Sequence, residues 1–306
     1  MAEKSTAPLV TRVLHCNFNT ADVEAAMAFY VDGLGLSERM RSATEGADSG
    51  PLGLDELTDS IAAFGYDYRG GRVAPAVELV QWTKPSTEGA VYASPSAIGM
   101  QAVGFAVPSV GEHLEACVAA GGRDLGARLI SSDPAVAVDA VVADPDGVAV
   151  ELWADRDAPA GRFRSIRLSV NDLAVTTAWY EAIGFRCVGG PVVGRVESDD
   201  AARDREVTVQ RMVPGAVTNV ELHLTRFEGE PGGQAHDRPN MRGLYRMACG
   251  VEDVRAAVAE VRPAVEPGEP SYIPLPGTKL GGLWVAFMKD PDGVTIEFVE
   301  RPMDAS

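Results

Sequence analysis

The sequence predicts an α+β fold of four βαβββ modules forming two paired-module half-barrel domains, and three observations carry that expectation. The segment DPDGVAVELW at 144–153 returns as DPDGVTIEFV at 290–299. A longer stretch, RVLHCNFNTADVEAAMAFYVDGLGL at 12–36, is echoed by SIRLSVNDLAVTTAWYEAIGF at 165–185. Between these landmarks, apolar residues switch four times from a period of two to a period near 3.6, so the chain reads as four cycles of strand, helix and three strands.

In the first cycle, VLHCNF (13–18) alternates as a strand and residues 21–31 carry a helical pattern opened by Thr20 as its cap. Strands follow at 35–40, 60–68 and 74–82, the last two joined through Gly70-Gly71. The second cycle has a strand at 100–107, a helix at 110–120 stopped by Gly121-Gly122, and strands near 125–131, 136–143 and 148–153. The third runs from Arg164 through a helix at 173–182 to a strand at 219–224, and the fourth from Gly243 through a helix at 252–262 to a strand at 294–299. Each Asp-Pro-Asp-Gly is a tight turn into a final strand, with Pro fixing one dihedral and Gly accepting a positive one. It marks fold rather than chemistry. The expected organisation is a tail at 1–11, a first domain at 12–155, a linker at 156–163, a second domain at 164–301 and a tail at 302–306. Two polar inserts, 43–59 and 228–241, read as lids or solvated loops.

Composition narrows the function classes. No apolar run approaches 18 residues, so no membrane span is expected. A formal charge of -17 repels a phosphate backbone, and no basic stripe offsets it, which argues against nucleic acid as a partner. The start MAEKSTAPLV lacks a secretory apolar core, and the four cysteines form no C-x-x-C pair. A reducing cytoplasm fits, with the protein a monomer or a homodimer.

The Phe29-Tyr30 and Trp179-Tyr180 pairs, the Gly-Leu-Gly-Leu and Ile-Gly-Phe segments after them, and the doubled Asp-Pro-Asp-Gly-x-x-x-Glu strand resemble the vicinal oxygen chelate superfamily. That superfamily includes glyoxalase I, methylmalonyl-CoA epimerase, extradiol dioxygenases and the fosfomycin and bleomycin resistance proteins. The resemblance spans about residues 12–301 and implies that paired modules enclose a divalent metal, its ligands drawn from the first and last strands of each module. Position by position it implies His15 and Glu78 in the first module and Glu151 in the second, where the first-strand position falls on Ala102 beside Gln101. In the third it points to Ser165 and Glu221, and in the fourth to Arg246 and Glu297.

If neighbouring modules pair, the metal set is His15, Glu78 and Glu151, one imidazole and two carboxylates that leave room for water and a bidentate substrate. Pairing of first with fourth substitutes Glu297 and brings Arg246 close. The expected cofactor is one divalent ion (Zn, Mn, Ni, Co, Fe or Mg), and Gln101, Trp82 and Trp153 are the candidate substrate-binding residues. Glu221, His223, Arg246 and Glu297 form a second cavity with no metal, because a cation beside Arg246 is repelled. Cys16 follows His15 and points to the opposite strand face. His113 lies in a helix among acidic residues, and His236 is at most a lid residue.

Two functions follow. The first is a metal-dependent epimerase, isomerase or lyase that polarises vicinal oxygens of a small metabolite so that a carboxylate moves a proton. Extradiol ring cleavage needs two histidines and one carboxylate, and Ser165 and Arg246 argue against it. The alternative is a metal-free small-molecule binding or resistance protein.

Overall fold

Alternation of apolar and polar residues produces strands where it was expected, and their pairing decides which residues meet. The structure, a computed structural model, describes residues 8–92, 94–198, 204–229, 232–275 and 281–301. The first module is β1 (Arg12–Asn19), α1 (Val23–Ala28), β2 (Ser37–Asp48), β3 (Leu57–Tyr66) and β4 (Ala76–Lys84). The second is β5 (Gly99–Val107), α2 (Val110–Ala119), β6 (Arg123–Ser131), β7 (Val138–Ala143) and β8 (Ala149–Ala154). The third holds β9 (Arg162–Ser169), α3 (Leu173–Ala182), the short β10 (Phe185–Cys187), β11 (Val192–Glu197), β12 (Arg205–Pro214) and β13 (Glu221–Phe227). The fourth is β14 (Gly243–Val251), α4 (Val254–Val261), β15 (Ser271–Leu275), β16 (Gly281–Lys289) and β17 (Thr295–Glu300).

These strands make two sheets. The first is open, in the order β15-β16-β17-β14-β1-β4-β3-β2. The second runs β10-β12-β11-β6-β7-β8-β5-β9-β13 and closes into a barrel where β12 also pairs with β13. The first module therefore shares a sheet with the fourth, and the second with the third. Pairing of neighbouring modules is corrected here: β1 runs antiparallel to β14, and β5 antiparallel to β9. The cause is the short connection after β8, which carries the chain straight into β9 at the free edge of β5, as short connections do. Residues 156–163 are not a free linker, since Arg162 and Phe163 already belong to β9, and Gly161 N–H donates to Leu34 O at 2.9 Å. The halves 12–155 and 164–301 are thus halves of the sequence and not separate sheets.

Local departures from the expected elements have local causes. Asp22, not Thr20, caps α1, its carboxylate accepting from the Glu24 and Ala25 N–H groups. The helix ends early and passes into a wider turn of π type at Phe29–Gly33. Residues 1–7 and 302–306 of the two expected tails lie outside the described residues, but Val10 is fully buried and its carbonyl accepts from Gly215 N–H at 3.2 Å.

One apolar core lies between the sheets and takes the helices with it. Cys16, Phe18, Val77, Leu79, Ile296 and Phe298 enter it from the open sheet, and Val103, Phe105, Leu152, Ile166 and Leu224 from the barrel. Full burial of such side chains contributes about 1.5–3 kcal/mol each. The repeated turns add a second kind of link. Tyr30 O–H donates to Asp144, and Tyr180 O–H to Asp290, both at 3.1 Å. The second aspartate of each turn holds the preceding module's strand-to-helix corner: Asp146 accepts from Thr20 and Ala21, and Asp292 from Asn171 and Thr176. Neighbouring modules are therefore joined through helices and turns while their sheets pair across the halves.

Candidate functional site

The open sheet brings the chemistry-bearing residues of the first and fourth modules to one face. Asn17 lies opposite both Glu78 and Arg246 in the strand register, Ala248 opposite Glu297, and His15 opposite Ala248. Residues directly opposite in a sheet share a face, so His15, Asn17, Glu78, Arg246 and Glu297 converge near its centre. Their apolar neighbours Cys16, Val77, Met247 and Ile296 point the other way into the core, so core packing on one face sets the side-chain positions on the other.

Arg246 organises the cluster. Its Nη2 donates to Glu78 Oε2 at 3.0 Å and its Nε to Glu297 Oε2 at 2.9 Å. His15 Nε2 stands 3.4 Å from Glu78 Oε2 and 3.6 Å from Glu297 Oε2, and the imidazole meets the Phe64 ring edge-on at 5.9 Å. Burial alone would push the Glu297 carboxyl up, but Arg246 and His15 more than offset it, so it sits below its ordinary value. Burial likewise opposes the Arg246 charge, yet Glu78 and Glu297 raise the guanidinium above its ordinary value. Two carboxylates against one guanidinium leave one negative charge for His15 or a ligand to meet. Asn17 is fully buried, and neither atom of its amide has a hydrogen-bond partner. Sequence reasoning missed Asn17, although strand alternation two residues after His15 could have found it.

The insert at 43–59 contributes to the same face. It is mostly strand, extending β2 to Asp48 and starting β3 at Leu57, with a tight 3-10 turn at Gly50–Leu52 between. Pro51 and Leu52 from that turn line a cleft of about 460 Å³ together with Tyr245, Phe287, Lys289 and Thr295. Phe287 lies directly opposite Glu297, and Thr295 opposite Arg246, so the cleft adjoins the charged cluster. The other insert packs elsewhere: His236 stacks on Tyr92 at 4.2 Å, and Ala235 N–H donates to Asp292 O at 2.8 Å. Its residues 230 and 231 lie outside the described ones.

Glu151 does not join His15. It lies in the barrel, where Arg167 grips both its oxygens, because its module pairs with the third rather than the first. The expected second cavity also divides: Arg246 and Glu297 belong with His15, while Glu221 and His223 stay in the barrel, 3.1 Å apart. Gln101 donates to Ala97 O from β5 in that barrel, and Trp153 lies within it. Trp82 is on the open sheet but spends its indole N–H on Asn19 Oδ1 at 3.0 Å. The register adds a correction of its own. Glu78 lies beside Asn17, whereas the residue beside the matching Arg167 is His223, so His223 and not Glu221 stands where Glu78 does.

The resemblance implies a divalent ion at His15, and the donor set tests it. Separations of 3.4 and 3.6 Å are close to the roughly 3.4 Å edge of a tetrahedron with bonds of about 2.1 Å. The same two carboxylate oxygens, however, accept from Arg246, whose strand position is the one expected of a fourth ligand. An ion there would face a fixed positive charge. Among the described residues no three or more His, Cys, Asp or Glu side chains are arranged to hold a metal ion. The cluster as it stands does not fit a resident dication.

A family model described as the Glyoxalase/Bleomycin resistance protein/Dioxygenase superfamily matches residues 12–152 and 162–298. Among solved structures, glyoxalase I from Zea mays is similar, with a TM-score of 0.66 and 20% identity over 94% of this chain and 92% of that one. A putative dioxygenase from Bacillus subtilis has a TM-score of 0.61 and 13% identity over 98% of this chain and 88% of that one. No curated protein matches the chain.

Proposed function

The chain belongs to the glyoxalase/bleomycin resistance protein/dioxygenase superfamily, and from that premise we propose that it is an enzyme moving a proton on a small metabolite, with His15 as the base. The reaction type is that of an isomerase, epimerase or lyase. One observation carries the reading: His15 Nε2 faces Glu78 and Glu297 while both carboxylates are locked by Arg246.

In that arrangement the carboxylates take the Nε2 proton, which fixes the tautomer and leaves Nδ1 as the nitrogen free for a substrate. As Nδ1 accepts a proton, the positive charge formed on the ring meets the one uncompensated negative charge of the cluster. A positioned base of this kind contributes about 10²–10⁴-fold. Arg246 keeps the carboxylates ionised, so it supports the orientation of the ring and touches no substrate itself. The unpartnered Asn17 amide offers one donor and one acceptor to a polar ligand, and the adjoining cleft has room for a small metabolite.

A second reading keeps the superfamily's metal chemistry, with a divalent ion acting as Lewis acid at His15, Glu78 and Glu297. The tetrahedral spacing of the three donors favours it, and it needs Arg246 to swing aside. One experiment separates the two. Chelator-treated protein is incubated in D2O with a panel of small hydroxy-carbonyl compounds, and loss of the C–H signal is followed by NMR. The base reading expects exchange that persists without metal and disappears in His15→Ala. Exchange that returns only on adding a divalent ion sinks it in favour of the metal reading, and exchange unaffected by His15→Ala sinks both.

A further inference from the structure

The closed barrel has its own unpartnered polar atoms, remote in topology from the open sheet. Strand alternation points Glu151, Ser165, Arg167 and His223 inward, beside an apolar lining that includes Leu129, Val207, Val209 and Phe227. Four buried atoms there have no hydrogen-bond partner: Trp153 Nε1, Arg164 Nε, Ser165 Oγ and His223 Nδ1. Ser165 and His223 are fully buried and Trp153 nearly so. Buried polar groups without partners are rare, because each costs about 1–3 kcal/mol. They are also close together. Arg164 lies over the Trp153 ring at 5.1 Å, Trp153 meets His223 edge-on at 6.1 Å, and a side chain added at Gly104 would strike Trp153 and Ser165 together.

Charge and tautomer say what would satisfy them. Arg167 is paired with Glu151, and Arg211 with Glu221 and, at the rim, Asp133. Arg164 donates to the Ala135 carbonyl at 3.1 Å but has no carboxylate within 4 Å among the described residues, so its charge is the surplus one. Trp153 Nε1–H and Arg164 Nε–H can only donate, and the Ser165 hydroxyl can join them, which calls for an acceptor carrying negative charge. Burial keeps the fully buried His223 ring below its ordinary value and so neutral near pH 7, and Glu221 takes its Nε2 proton. His223 Nδ1 is then a bare acceptor, which calls for a donor.

We propose that the barrel is a second binding site, for a small hydroxy acid: the carboxylate is met by Trp153, Arg164 and Ser165, the hydroxyl by His223 Nδ1, and a short apolar chain by Val207 and Val209. It stands independently of the reaction assigned to His15. Arg164, half-buried across the Trp153 face, is the side chain that has to swing for a ligand to pass.

The test uses the full chain with its indole nitrogens labelled, the Trp153 resonance being identified by its loss in Trp153→Phe. Three probes of one shape are titrated: 2-hydroxy-3-methylbutanoate, 3-methylbutanoate and 3-methylbutanamide. The expected result is a saturable shift of the Trp153 signal with the hydroxy acid, at least tenfold weaker binding of the acid lacking the hydroxyl, and none of the amide. Arg164→Gln, a substitution near the barrel mouth, should abolish the shift, and His15→Ala should leave it unchanged. No saturable shift with any probe, an equal response to the neutral amide, a response retained in Arg164→Gln, or one lost in His15→Ala would each overturn the assignment.

Discussion

The Tyr30 hydroxyl, at the end of the first helix, donates to Asp144 Oδ2 at 3.1 Å in the turn of the following module, and Tyr180 repeats the bond to Asp290 at the same distance. All four side chains are buried. The two repeats noticed in the sequence, the aromatic pair and the Asp-Pro-Asp-Gly turn, are thus two ends of one contact. Replacing Tyr30 or Tyr180 by Phe should lower stability by about 1–2 kcal/mol each, as expected for a buried hydrogen bond to a side chain. Urea unfolding of both variants measures it, and two unchanged midpoints would show that the bond is incidental.

The same carboxyls should make stability depend on pH in an uncommon direction. Burial, with the neighbouring Asp146 or Asp292 charge adding to it, pushes Asp144 and Asp290 up to about 7. An unfolded aspartate titrates near 3.9. The folded value is the higher one, so the fold binds more protons between pH of about 4 and 7. That contribution is full below pH about 4 and is lost as pH rises through about 7. Asp144→Asn and Asp290→Asn should flatten the slope by a few kcal/mol across this window, as followed by thermal unfolding from pH 4 to 8. A slope identical to that of the parent chain would rule the two groups out.

Arg246 should be the most costly single residue of the charged cluster. Arg246→Met leaves Glu78 and Glu297 facing each other without a cation, and breaking a buried pair in this way costs about 3–5 kcal/mol. Arg246→His instead supplies an imidazole at the strand position expected of a fourth ligand. It should convert the cluster into a divalent-ion site, seen as a rise in Tm on adding zinc that the parent chain lacks. A parent chain that gains as much from zinc as Arg246→His would favour the second reading of the site.

Asn17 is predicted to serve ligand binding rather than stability. Its amide is buried without a partner, so Asn17→Leu should leave the folded state equally or more stable, by up to about 1–2 kcal/mol, while weakening whatever ligand the parent chain binds in the open sheet. Chemical unfolding and ligand titration on the same sample decide it. A strongly destabilised variant would assign Asn17 to the fold instead.

The modules were legible because their punctuation is local. Asp-Pro-Asp-Gly and the Phe-Tyr and Trp-Tyr pairs act within a few residues of themselves, and they occur twice. Which sheet each module joins was not legible, because β1, β5, β9 and β14 share one alternating pattern and nothing local selects a partner among them. Glu151 was accordingly drawn into the wrong site, and the metal set expected with it does not assemble. The likeness of AVELV to NVELHL equated Glu78 with Glu221, whereas sheet register, a non-local property, puts His223 in that place. His15 and Glu78 came together in either pairing because both belong to one module, where β1 and β4 are neighbours.

The pairing of outermost with outermost modules also sets a timetable for synthesis. Every strand of the barrel has been made once Phe227 leaves the ribosome, and this sheet can close while the rest of the chain is still being translated. The open sheet is different: β1 and β4 must wait, with one edge of β1 bare, until β14 and β17 arrive. Contacts this far apart in sequence form slowly. The histidine made first is therefore among the last residues to find its surroundings, and a nascent chain arrested before Glu297 would hold a finished barrel beside an unfinished centre.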